Sequence, residues 1–353
     1  MARQPTLRDI GRQLGLSAMT VSLVLRDSPR ISAATKQRVR AALRGMNFVP
    51  NQLARALATG HSNLIGVIVP NSSDPYYAEV IRAIEDAASA VHYHVLLGNG
   101  SYRMETYSAR VRDLQRLQMK GIIAAPPFTS ERPRLPKFWR DLQQSDFQVV
   151  LINRQLDPPI FHQVAADYMA GVMMLARALA ERGHRRVAYI SGHPAALPFR
   201  QRLETFRRSV AELGFDADDR LVEIGELTGA GGYEACRRLW AANRRKPTAI
   251  VASHEIAALG VLRYLDERSV DVPGQVSVGS FDGTPFADFT HRSLTTVATP
   301  RYEIGKQAFR TLHDAMRGHL SEPRSLILPV ELRIRESLGP APAEHGGSRR
   351  RAP

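Results

Sequence analysis

Residues able to carry out covalent chemistry are sparse in this 353-residue chain, and the motifs that would organise them are incomplete. The stretch Thr228-Gly-Ala-Gly-Gly-Tyr follows a predicted strand and precedes a predicted helix, as a dinucleotide-binding turn would. The position three after Gly231 is Glu234, however, so the third glycine that brings helix and strand together is missing, and a plain helix-entry turn is the better reading. The sequence contains no Gly-x-x-x-x-Gly-Lys-Ser/Thr phosphate loop, no Gly-x-Ser-x-Gly nucleophile elbow and no His-Glu-x-x-His pair. His92 and His94 alternate at a strand start, which predicts one core and one surface residue rather than two metal ligands. Cys236 is the only cysteine, so an internal disulfide and a Cys-x-x-Cys zinc site are both excluded, and a reducing compartment is expected. No catalytic residue, cofactor or metal is expected.

What remains is the chemistry of recognition. Residues 1–60 carry ten Arg and Lys against only Asp9 and Asp27, so the head holds +8 of the formal +14 and residues 61–353 the other +6. A field focused in this way attracts a polyanion, either nucleic acid or an anionic membrane surface. The opening MARQPTLRDI lacks the apolar stretch of a secretory signal, and no apolar run approaches the roughly 20 residues needed to cross a bilayer. A soluble cytoplasmic protein associated with the nucleoid is expected.

The elements that must position this charge are short helices. Leu7, Ile10 and Leu14 repeat at helical spacing up to Gly15, and Ser17 then caps a run in which Val21, Val24 and Leu25 share a face. Ser32 caps a third helix through Val39, Leu43 and Met46, completing a helix-turn-helix pattern. The opposite face of the second helix displays Met19, Ser22, Leu23 and Arg26, with Ala18 at its N-terminal end. Met19 and Leu23 either extend the core or press on thymine methyl groups in the major groove. In the second case Ser22 and the surrounding cations meet base edges or phosphates, and Thr6, Ser17, Thr20 and Arg30 complete the DNA-facing set. After Pro50, the segment Asn-Gln-Leu-Ala-Arg-Ala-Leu-Ala-Thr-Gly spans only about two turns, too few for a stable isolated helix. It is either a linker helix or a segment that folds on DNA, where Asn51, Ala54 and Arg55 would accompany Leu57 as it wedges into a minor-groove step. Paired heads and paired hinges imply a homodimer on a pseudo-palindromic double-stranded operator.

Behind the head, the apolar run Leu64–Val69 reads as a strand buried on both faces. Helices from about Tyr77 to Val91 and from Glu105 to Met119 alternate with strands His94–Leu97, Gly121–Ala124 and Val149–Asn153. A second doubly wound unit runs through Val187–Ile190, Thr248–Ala252 and Val276–Gly279. Ligands of open parallel sheets bind beyond the carboxyl ends of strands, which selects Tyr76, Tyr77, Asn153, Arg154 and Asp282, with Arg202 opening the helix after the first strand of the second unit. His184, beside Arg185 and Arg186, reads as a cation at a helix C-terminus.

The stretch from Thr6 to Gly60, with Leu-Ser-x-x-Thr-Val-Ser followed by Val-Pro-Asn-x-x-Ala-Arg-x-Leu, resembles the head and hinge of the lactose/galactose repressor family, and the likeness continues to about residue 337. The resemblance implies an all-α helix-turn-helix DNA-binding domain (1–49), a hinge helix (50–61) and an α/β two-lobed, periplasmic-binding-protein-like core (62–339) that also carries the dimer contacts. It places the first lobe at about 62–162 and 291–323 and the second at about 163–290 and 324–339, with two doubly wound parallel sheets. The Pro/Gly-rich tail, 340–353, has the composition of a disordered segment. The family's function is transcriptional regulation, usually repression, with operator affinity set allosterically by a small molecule between the lobes. Arg202 and Asp282 match positions that hold the polar parts of a sugar or purine effector, and Tyr76 and Tyr77 offer an aromatic wall. Leu227 stands where relatives often carry an aromatic, His254-Glu255 replaces a frequent Asn-Asp, and Ala18, Met19 and Leu23 depart from the usual polar head residues. A sugar is the expected effector. A solute-binding protein serving a transporter and an α/β enzyme tethered to DNA are the alternative readings.

Overall fold

The computed structural model describes residues 5–25, 27–46, 62–127 and 135–343. Arg26, Asn51, Ala54, Arg55 and Leu57, together with the expected hinge and the tail from residue 344, lie outside the described residues. The chain divides into two compact units, Met1–Ser62 and Asn63–Pro353.

In the first unit, helices α1 (Leu7–Leu14), α2 (Ala18–Leu25) and α3 (Ala33–Gly45) close around Ile10, Val21, Val24 and Val39. Each helix begins where a side chain satisfies its exposed amides. Thr6 and Asp9 form a reciprocal capping box, Ser17 Oγ accepts from the Thr20 amide at 3.0 Å, and Ser32 Oγ accepts from Thr35. Gly15 ends α1 at φ +68°, the left-handed geometry that a β-carbon disfavours. Asp27 takes both Lys36 (3.0 Å) and Arg40 (2.8 Å), and these hydrogen-bonded cations hold its carboxyl below the usual range.

The second unit contains two six-stranded sheets. The first lobe has the order β11-β5-β4-β3-β1-β2, built from β1 (Leu64–Val69), β2 (His94–Asn99), β3 (Gly121–Ala124), β4 (Gln148–Ile152), β5 (His162–Ala166) and β11 (Ser325–Leu328). The second has the order β12-β10-β9-β8-β6-β7, from β6 (Val187–Ser191), β7 (Val222–Ile224), β8 (Ala249–Ala252), β9 (Ser277–Asp282), β10 (Thr295–Ala298) and β12 (Glu331–Arg333). All pairings are parallel except β10 with β12. Helices α4 (Pro75–Ser89), α5 (Met104–Arg116), α6 (Lys137–Gln143) and α11 (Arg301–Met316) cover the first sheet; α7 (Tyr168–Glu181), α8 (Leu197–Leu213), α9 (Gly229–Ala242) and α10 (Glu255–Glu267) cover the second. Among the described residues, no helix is long and apolar enough to cross a membrane.

Three features differ from the sequence reading. The chain crosses between lobes after β5, after β10 and between β11 and β12, so residues 163–166 and β11 belong to the first lobe and β10 to the second. These strands were hidden because they are short and polar at their starts, as in His162-Gln163 and Thr295-Thr296. His92 and His94 are both exposed: His92 sits in a turn at φ +61°, and His94 begins the edge strand β2. His184 is no surface cation. Its ring is fully buried, with Nδ1 3.0 Å from Thr248 Oγ1 and Nε2 3.1 Å from the Gly339 carbonyl, and burial lowers its pKa so that the neutral ring is favoured.

Candidate effector cleft and nucleic-acid interface

Within the second unit the carboxyl ends of β1, β4, β6, β8 and β9 meet at a cleft between the lobes. Its inner chamber is continuous through Asp74, Tyr102, Phe199 and Leu227 with a larger outer one. Tyr76, Tyr77, Asn153, Arg202, Leu227 and Asp282 all line the inner chamber. Sequence order scatters them over more than 200 positions; the strand ends bring them together.

Local backbone geometry marks the same place. Tyr102 (φ +54°), Asn153 (φ +54°) and Asp282 (φ +93°) are non-glycine residues at positive φ, each following or ending a strand, and each lines the chamber. Such conformations persist where the surroundings over-determine them, often at ligand sites.

The polar groups of each lobe are tied to one another. Tyr76 Oη donates to Asn153 Oδ1 at 2.8 Å, and Tyr168 Oη donates to Asp282 Oδ1 at 3.4 Å; burial raises both tyrosine pKa values, so both remain donors at neutral pH. Asp282 Oδ2 accepts from the Glu255 amide at 3.3 Å. The Arg202 guanidinium lies 3.5 Å from the Tyr168 ring centroid and donates through one terminal nitrogen to the Ser253 carbonyl at 2.7 Å. Among the described residues, the buried side-chain atoms without a hydrogen-bond partner are Arg202 Nε, His254 Nδ1, Tyr189 Oη and Ser191 Oγ, and the first two belong to chamber-lining residues. Arg154, by contrast, is committed to the structure: it donates to the backbone carbonyls of Ala125, Pro126 and Asn153.

Several lining residues were not selected from the sequence, among them Asp74, Tyr102, Tyr168, Phe199 and His254. Asp74 carried a legible signal, since Asp-Pro is a strong N-cap and N1 pair, and α4 begins at Pro75 rather than Tyr77. Tyr168 follows β5, itself hidden. His254 was visible only as a departure from the resemblance. Glu255, next to it, is buried against Thr284 and is pushed up to about 7, mainly by burial. Arg202 sits on the second turn of α8 rather than at its start. The stretch Thr228–Tyr233 is a helix entry, in which Thr228 Oγ1 accepts from the Gly231 amide at 2.9 Å.

In the first unit, α2 buries Val21 and Val24 and turns Met19 outward, 71% exposed; Ala18, Thr20, Ser22 and Leu23 are half-buried, and Ser17 and Arg30 are exposed. Thr6 spends its hydroxyl on Asp9 Oδ2 at 2.7 Å.

Residues 6–51 match the family described as bacterial regulatory proteins, lacI family, and residues 176–338 match the periplasmic binding protein-like domain. The catabolite control protein A of Priestia megaterium is 28% identical over 333 residues, covering 94% of this chain and 98% of that protein. The HTH-type transcriptional regulator GalR of Salmonella typhimurium is 30% identical over 304 residues, covering 86% and 87%. Among solved structures, the complex of the transcriptional regulator CelR with cellobiose matches with a TM-score of 0.71 at 26% identity, covering 94% of this chain and 99% of that one. The lac repressor dimer bound to operator and the anti-inducer ONPF matches with a TM-score of 0.84 at 21% identity, covering 95% and 99%.

Proposed function

This chain belongs to the lacI family of bacterial transcription regulators, with a DNA-binding head and a ligand-binding core, and from that premise we propose that its effector is a sugar or sugar derivative held in the inner chamber of the cleft. The observation that carries the reading is the convergence of Tyr76, Tyr77, Asn153, Arg202, Leu227 and Asp282 on one chamber, where Arg202 retains a buried donor without a partner. A carboxylate and a guanidinium fixed by neighbours can satisfy several hydroxyls in one orientation, while the tyrosines cover an apolar ring face. The cleft binds rather than transforms its ligand, and ligand occupancy sets operator affinity, most often as repression.

Operator reading falls to Met19, Leu23, Ser22 and Arg26 in the major groove, with Thr6, Ser17, Ala18, Thr20 and Arg30 beside them, and to Asn51, Ala54, Arg55 and Leu57 at the hinge. The protein acts in the cytoplasm as a homodimer on a pseudo-palindromic site. Exposed Leu96 and Leu97 on edge strand β2, and Phe289 at 85% exposure, supply apolar surface for the pairing.

A thermal-shift screen of the full-length protein against monosaccharides, disaccharides and nucleobases tests the effector. A ligand at about 100 times its Kd adds roughly 2.7 kcal/mol of stability. A nucleobase hit with every sugar silent would overturn the sugar assignment.

A further inference from the structure

The residue at the centre of the cleft is an ionisable one. His254 is buried, and its Nε2 lies 3.3 Å from Asp74 Oδ2 and 3.6 Å from Asp282 Oδ2. Asp282 ends β9 in the same lobe as His254, whereas Asp74 caps α4 in the other. We propose that His254 is a proton-dependent bridge between the lobes, its imidazolium held between Asp74 and Asp282 so that acidification favours the closed cleft. The bridge is a property of the lobes whatever the cleft binds.

Asp74 is built for two tasks. Its Oδ1 accepts from the Tyr76 amide at 2.9 Å and starts α4, which leaves Oδ2 for the imidazole. Burial alone would lower the His254 pKa, but the Asp282 and Asp74 carboxylates outweigh burial and the opposing Arg202 charge, and hold it above 6.5. The other groups around the chamber do not replace this bridge. Arg154 is spent on backbone carbonyls, and burial raises the pKa of Tyr76, Tyr77, Tyr102 and Tyr168, keeping them neutral. Glu255, at about 7, titrates in the same window, but its partner Thr284 belongs to its own lobe, so its proton does not register lobe separation.

The sign follows from linkage. Opening the cleft removes Asp74 and leaves Asp282, so the open form binds the His254 proton more weakly. The bridge is fully present below the pKa of the open form and is lost as pH rises through the raised pKa of the closed form.

The test uses full-length protein without ligand, so a silent effector screen has no bearing on it. The protein, labelled with 13C-histidine, is titrated by NMR from pH 5.5 to 8.5, and its radius of gyration is followed by small-angle X-ray scattering. D74N keeps the helix cap, because asparagine caps as well as aspartate, while removing the charge. In the wild type, His254 should titrate above 6.5 and the lobes should separate as it deprotonates. D74N should lower that midpoint by about one pH unit, and H254N should abolish the pH-dependent expansion that the wild type shows. An unmoved His254 midpoint in D74N, or a wild-type expansion retained in H254N, overturns the bridge. If H254N does not fold, D74N decides through the midpoint alone.

Discussion

Arg202 shows how little of a charged residue's role is charge. Its guanidinium face rests on Tyr168 and one nitrogen is tied to Ser253, so only part of the fork remains for a ligand. Truncating a buried, hydrogen-bonded charge costs about 2 kcal/mol or more, which corresponds to at least about a 30-fold loss. We therefore expect R202A to abolish the effector-dependent change in operator binding while leaving DNA affinity without effector intact. R202K should recover little, because lysine has no planar face for Tyr168. Titration of operator binding with effector checks both, and a normal response in R202A removes the assignment. On the head, M19A should weaken binding to a selected operator by about tenfold, within the range of one lost base contact, and leave binding to random duplex unchanged. Equal losses on both in a gel-shift comparison would return Met19 to a non-specific role.

The elements place these residues through close contact. A β-carbon on Gly260 of α10 would meet the Gly229 carbonyl of α9 at 1.9 Å, so the two helices cross backbone to backbone. G260A should destabilise the core by about 1–3 kcal/mol, the usual cost of overpacking, and lower the urea midpoint; an unchanged midpoint would show that the helices can part freely. The sequence was most informative where one face of an element decides its fate. The LIGVIV run of β1, the three head helices and the helix entry at Thr228 were legible because burial or capping leaves a periodic or chemical mark. β5, β10, β11 and β12 left none: all four begin with polar residues, and β11 and β12 are edge strands of four and three residues. Missing them shifted the lobe boundaries, since the chain changes lobes beside these very strands. The cleft was half legible for a related reason. Residues at the ends of strongly apolar strands, such as Asn153 and Asp282, could be selected from order alone, whereas Tyr168 depends on β5. His184 was misread because adjacent arginines suggest a surface, and only tertiary packing against Thr248 and Gly339 shows that the ring turns inward.

At the scale of the whole molecule, regulation requires that effector and operator share a free energy. If effector changes operator affinity by some factor, operator must change effector affinity by the same factor, because both describe one thermodynamic cycle. A coupling of about 1–3 kcal/mol, typical of such systems, corresponds to roughly 5- to 150-fold. Calorimetric titration of the effector into protein with and without saturating operator, beside operator binding with and without saturating effector, should give equal factors in that range. The comparison has to be made at one ionic strength. The head carries ten cations in sixty residues, and each phosphate contact it makes steepens the fall of DNA affinity with salt. Equal factors clearly different from one would mean that the two sites are energetically coupled. A factor near one in both directions would leave a protein that binds DNA and ligand independently, and the regulatory reading would fail even though each site had been identified correctly.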